Sequence, residues 1–269
     1  MRAVGYAIEN GRLLTWALEA QLVDHCNLRC VHCCTLSPQL APRCLEPAAL
    51  ERDLRLLARV LRPAVFKLTG GEPLLHPRLL ECIEAARASQ ISPQLSLTTN
   101  GFFLAQAPDA LLAGLDRLTL SWYASAPLPE ALLARSAARC AEHGLALTIK
   151  RIGAFARMDA PAPFQDAAAT RRVHSECWLR VRCHMLRDGR FYACTRPPHL
   201  EQRLRSLGHA TRLASEDGVP LDGDAGELLA RLWAYLESDE PLAACRYCLG
   251  ASGGFEAHAQ GVHAQEEIP

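Results

Sequence analysis

Between residues 18 and 150 strand-like and helix-like stretches alternate, and this rhythm limits the possible folds more than any other feature of the chain. Parallel strands cannot be joined by tight hairpins; each needs a long crossover, usually a helix. LEAQLVD (18–24), AVFKLT (64–69), QLSLTT (94–99), RLTLSW (117–122) and LALTIK (145–150) read as strands. Between them, 46–61 sets Leu50, Leu54, Leu57 and Leu61 on one helical face, with Pro63 as a stop. The stretch 77–90 opens with proline in its first turn, and 128–144 ends at Gly144, suited to a left-handed cap. The expected class is α/β: a partial, open (β/α) TIM-like barrel of five or six parallel strands.

The rhythm breaks in the Ala/Pro/Arg-rich stretch 153–172. Beyond it, WLRVRCHML and RFYACT flank Asp188-Gly189, a tight-hairpin signal, and 226–238 reads as a helix ended by Pro241. The expected organisation is therefore a barrel domain over 1–155, a small hairpin-plus-helix module over 156–255 and a mobile tail over 256–269. No apolar run approaches the ~20 residues of a membrane span. The expectation is therefore no membrane partner, and the 29 basic residues, of which only Lys67 and Lys150 are lysine, balance 29 acids, which argues against nonspecific nucleic-acid binding. The N-terminus lacks the pattern of a secretory signal, so a cytoplasmic location is expected. In that compartment twelve cysteines point to metal ligands or catalysts rather than disulfides.

Cys26, Cys30 and Cys33 form CxxxCxxC directly after the first strand. Three thiolates in one loop can hold a [4Fe-4S] cluster with one iron left free, or zinc with His25, His32 or Cys34 as the fourth ligand. The second strand ends in Gly70-Gly71-Glu72-Pro73 and the third in Thr98-Thr99-Asn100-Gly101. Successive strands thus close on glycine and polar residues at the rim where barrel-like α/β folds build their sites.

CxxxCxxC, GGEP and TTNG, in this order over roughly 18–152, resemble the radical S-adenosylmethionine (SAM) enzymes. The resemblance implies that Cys26, Cys30 and Cys33 hold a [4Fe-4S] cluster whose free iron takes the amino and carboxylate groups of SAM. It further implies that Gly70, Gly71 and Glu72 meet the SAM ammonium, and that Asn100 and Ser121 contact its ribose or carboxylate. His32 stands where the family usually has an aromatic residue beside adenine.

Downstream, Cys177, Cys183 and Cys194 surround the hairpin, and Cys245 and Cys248 form CRYC after the last helix. This spacing resembles the twitch module, a shortened SPASM domain that carries an auxiliary [4Fe-4S] cluster. The pattern selects Cys177, Cys194, Cys245 and Cys248 and leaves Cys183 over, with a swap of Cys177 and Cys183 or a four-thiolate zinc site as alternatives. Chain length and cysteine layout resemble radical SAM dehydrogenases that oxidise an aminocyclitol alcohol. The spare Cys183 is a candidate hydrogen donor, and Arg151, beside Lys150 at the end of the fifth strand, is a candidate substrate contact.

The expected activity is generation of a 5'-deoxyadenosyl radical and dehydrogenation of a small polar aminocyclitol or sugar-like molecule. A flavodoxin or ferredoxin is the expected reductant. Only 25 residues precede Cys26, too few for a separate leader-binding fold, which disfavours a peptide substrate. The alternatives are an epimerase, a maturase of short ribosomal peptides, and a non-enzymatic iron-sulfur or zinc-binding regulator.

Overall fold

A computed structural model describes residues 6–261. Two strands open the chain, β1 (Ala7–Glu9) and β2 (Arg12–Gln21). Helix and strand then alternate: α1 (Pro47–Ala58), β3 (Leu61–Thr69), α2 (Leu79–Ser89), β4 (Leu95–Thr99), α3 (Asp109–Ala113), β5 (Arg117–Tyr123), α4 (Glu130–Glu142) and β6 (Ala146–Ile152). The second half contains β7 (Ala154–Ala156), α5 (Ala167–Glu176), α6 (Leu179–Arg182), β8 (His184–Arg187) and β9 (Arg190–Tyr192). It continues with α7 (Arg196–Ser206), α8 (Leu213–Asp217), β10 (Val219–Pro220), α9 (Ala225–Glu237) and β11 (Phe255–Ala257).

One sheet runs β10-β9-β8-β2-β3-β4-β5-β6, parallel from β8 to β6, with β1 also on β2. It curves as a partial barrel that, among the described residues, does not close. Along each strand successive side chains take opposite faces. Leu18, Ala20, Phe66, Leu68, Leu95, Leu97, Leu118 and Leu120 form the face buried in the core with α1 and α2. The other face is polar: Glu19 lies opposite Lys67, Ser121 opposite Lys150, and Thr98, Thr119 and Thr148 align across three strands.

Three local expectations are corrected. Leu61 and Pro63 belong to β3, not to a helix and its stop. β4 pairs with β3 only from Phe66 onward, so Pro63 has no neighbour on the side where its missing N–H would donate. Residues 179–182 are helical, and the hairpin strand begins only at His184. That hairpin turns on Asp188 (φ 50°) and Gly189 (φ 68°), as a two-residue turn of this type demands. It does not stand apart as a module: β8 adds to the main sheet beside β2, burying Met185 and Leu186. Finally, 256–261 is no loose tail. β11 pairs antiparallel with β7, and Cys30 bridges to Gln260; residues 262–269 of the expected tail lie outside the described residues. No helix among the described residues is long and apolar enough to cross a membrane.

Candidate active site: two sets of thiols flanking a polar concavity

The three-cysteine loop leaves β2 at the C-terminal end of the strands and is tied to the next strand end by backbone. Gly71 N donates to Val23 O (2.8 Å) and Glu72 N to His25 O (3.0 Å). A Cβ on Gly71 would fall 2.0 Å from His25 O, and one on Gly70 2.9 Å from Val23 O. The glycine pair is thus needed first for the protein's own loop, which crosses over it immediately before Cys26.

All three thiols are free and half-buried. Cys26 Sγ accepts from Leu28 N (3.4 Å) and Asn100 Nδ2 (3.7 Å), Cys30 Sγ accepts from Gln260 Nε2 (3.4 Å), and Cys33 Sγ meets Thr35 Oγ1 (3.3 Å). Burial pushes Cys26 up to about 12 and Cys30 up to about 11; Cys26 is raised further by Glu72, Cys33 and Cys30, and Cys30 by Cys33. Among the described residues no three His, Cys, Asp or Glu side chains are drawn in tightly enough to share a single ion. Three unpaired thiols on one loop, each sulfur in polar contact, suit a cluster that offers every thiolate its own iron.

Glu72 differs from the expectation. It is 0% exposed, and its carboxylate accepts from Leu74 N (3.0 Å), Thr99 Oγ1 (2.6 Å) and Asn100 N (2.7 Å). Its side chain therefore braces the β3 end against the β4 end instead of facing a ligand. Burial raises its pKa to about 7 despite those three donors. Asn100 likewise turns to the loop, donating to Asn27 Oδ1 (2.7 Å) as well as to Cys26. His32, at φ 61°, pairs its Nε2 with Glu256 (2.9 Å). Ser121 is buried on the polar face of the sheet. Arg151 does not reach this face: its guanidinium lies 5.0 Å over the Trp122 ring, and Trp122 packs on the core side of the sheet. Lys150, one residue earlier, is the cation on the polar face.

Cys177, Cys194, Cys245 and Cys248 line one cavity with Val173, His174 and Arg196. They arrive from the end of α5, the end of β9 and the turn after α9. Each of Cys194, Cys245 and Cys248 is raised by burial first and then by its neighbouring thiols. Gly250 N donates to Cys248 Sγ (3.3 Å), and a Cβ on Gly250 would lie 3.3 Å from Cys177 Sγ. Cys183 is not among the lining residues. It follows α6 directly before β8, near enough to feel the charges of Glu19 and Lys67 on the polar sheet face. Burial pushes it up to about 12, so it stays a protonated thiol at neutral pH.

Sequence reasoning missed the Glu19–Lys67 ion pair (2.9 Å) on that face, although aligned strand registers would have exposed it. Cys34, a candidate fourth zinc ligand by its spacing, is solvent-accessible, and burial of its surroundings pushes its thiol up to about 12. Gln260, 230 residues from Cys30, left no local signal. His184 is core, held between Tyr6 and Phe191.

Residues 21–138 match the family model of the radical SAM superfamily. The GTP 3',8-cyclase of Mycobacterium marinum is 43% identical over 108 residues, 39% of this chain and 30% of the relative. That of Streptomyces coelicolor is 39% identical over 115 residues, 41% of this chain and 33% of the relative. The chain thus matches only about a third of the length of these curated relatives. The solved structure of BtrN in complex with AdoMet and 2-DOIA superposes with a TM-score of 0.50 at 14% identity, covering 89% of this chain and 94% of that one. The likeness in fold extends well beyond residues 21–138.

Proposed function

We propose that the protein is a radical SAM enzyme that dehydrogenates a small polar aminocyclitol or sugar-like molecule. The observation that carries this reading is the polar face of the parallel sheet, with the Glu19–Lys67 pair and Lys150, in a chain that also brings four distant cysteines around one cavity. Cys26, Cys30 and Cys33 hold a SAM-binding [4Fe-4S] cluster in this reading, and Cys177, Cys194, Cys245 and Cys248 hold an auxiliary one. When bound, these groups and SAM supply a 5'-deoxyadenosyl radical to remove hydrogen and an acceptor for the second electron. The chain's own part is to bind and orient. Glu19 and Lys67 offer an acceptor and a donor to neighbouring hydroxyl and amine groups, Lys150 adds a further cation, and the threonine row lines the wall.

The cyclase relatives share the stretch that carries the SAM-cleaving motifs, so they bear on cofactor more than on substrate. A triphosphate calls for several free cations, whereas Lys67 is already neutralised by Glu19. BtrN, similar in fold along most of the chain and solved with 2-DOIA, supports a small-molecule substrate. A small ferredoxin or flavodoxin is the proposed reductant.

Cys183 favours a second reading, epimerisation, because a protonated thiol near the polar sheet face can return a hydrogen atom to a substrate radical. Incubation of the anaerobically reconstituted protein with SAM, dithionite and a panel of aminocyclitols and aminosugars separates the two. A product two hydrogens lighter supports dehydrogenation. Unchanged mass with one deuterium taken up from heavy water, lost in Cys183→Ala, supports epimerisation instead. Turnover of GTP alone contradicts both.

A further inference from the structure

Residues 255–261 make a set of contacts that join distant parts of the chain. Gly253 admits the segment, since a Cβ there would fall 1.8 Å from Arg157 O. β11 then pairs with β7, His258 stacks on Tyr123 (ring centroids 4.7 Å apart), and Ser125 Oγ lies 2.8 Å from His258 Nδ1. At its far end the segment joins the cysteine loop: Val31 N donates to Ala259 O (2.9 Å) and Gly261 N to Arg29 O (2.7 Å). The segment is a strap that links the ends of β5 and β6 to the loop after β2.

Gln260 sits where the strap meets the loop. Its Oε1 accepts from Arg29 N (2.7 Å) while its Nε2 donates to Cys30 Sγ (3.4 Å), so both ends of one amide are fixed within the Cys26–Cys30 spacing. An N–H aimed at a ligating thiolate stabilises added negative charge and raises a cluster's reduction potential. A primary amide does this without adding net charge. We propose that the strap belongs to the radical-generating centre and that Gln260 is a positioning residue that orders the cysteine loop and tunes the potential of the cluster held there. This rests on the reading of Cys26, Cys30 and Cys33 as cluster ligands.

The test compares wild type, Gln260→Glu and Gln260→Leu after anaerobic reconstitution, by iron content and by an EPR-monitored redox titration of the signal that changes when SAM is added. Gln260→Glu keeps the acceptor for Arg29 N but replaces the donor by negative charge, and Gln260→Leu removes both contacts. Midpoints should shift to more negative values in both variants, furthest in Gln260→Glu, with iron in Gln260→Glu as in wild type. Loss of the SAM-responsive signal in Gln260→Leu together with a shifted midpoint in Gln260→Glu carries the same conclusion. Midpoints equal to wild type in both variants overturn the proposal. A SAM-responsive signal that survives replacement of Cys26, Cys30 and Cys33 by alanine instead sinks the underlying ligand reading, whatever Gln260 does.

Discussion

The two thiol sets are built in opposite ways. The first draws three cysteines from eight consecutive residues, on a loop that leaves them half-buried at the mouth of the concavity. The second gathers four from three distant parts of the chain around an apolar-walled cavity, where Cys248 is buried outright and Gly250 packs against Cys177. Three ligands beside a polar space suit a centre that must bind a further molecule. Four ligands sealed by packing suit a centre complete in itself. The difference teaches that the first set is gathered by local spacing alone, whereas the second is gathered only by the tertiary fold.

Variants that strike one set and spare the other sharpen this contrast most. Gly71→Ala forces a methyl into the backbone of His25, so the loop must move; the iron of the first set should be lost while that of the second remains. Cys194→Ala should do the converse. Each should cut total iron to about half, since each cubane carries four irons. Cys183→Ala should leave total iron unchanged. Loss of iron in Cys183→Ala with full iron in Cys177→Ala would exchange their roles.

The brace behind the first set predicts a pH effect. The pKa of Glu72 is raised by burial to about 7, from 4.5. The folded state then binds more protons than the unfolded state between these values, so this group's contribution to stability is present at low pH and lost as pH rises through 7. The loss amounts to roughly 3 kcal/mol when complete. Thermal melts from pH 4.5 to 7.5 should show Glu72→Gln gaining on wild type as pH rises. A constant difference would contradict the buried, proton-linked brace.

The smallest effect is expected from Arg151→Ala. Its guanidinium rests on Trp122 on the core side of the sheet, so turnover should be nearly unchanged, and the lost cation–π contact should cost stability only about 0.5–1 kcal/mol. Lys150→Ala, on the polar face, should raise KM more.

These contrasts also mark what the sequence disclosed. The parallel strands were legible because each repeats an apolar face and ends on glycine or polar residues, and the Asp188-Gly189 turn because both residues tolerate positive φ. The grouping of Cys26, Cys30 and Cys33 needed only local spacing. Glu72 was misread because its role depends on Thr99 and Asn100, which come against it only when β3 and β4 pair. Arg151 and Lys150 were separable only by strand parity. The strap was invisible for a stronger reason: its polar sequence has no period, and its order comes from partners such as Cys30 and Tyr123 far along the chain.

The central claim is that the three-thiol loop cleaves SAM and the four-thiol set does not. Its most direct test measures 5'-deoxyadenosine formed from SAM and dithionite by anaerobically reconstituted wild type and by the variant with Cys26, Cys30 and Cys33 all replaced by alanine. Wild type should form 5'-deoxyadenosine, and the variant should form none while keeping about half the iron, all of it in the second set. Continued formation of 5'-deoxyadenosine by the variant, or none by fully iron-loaded wild type, would contradict the account.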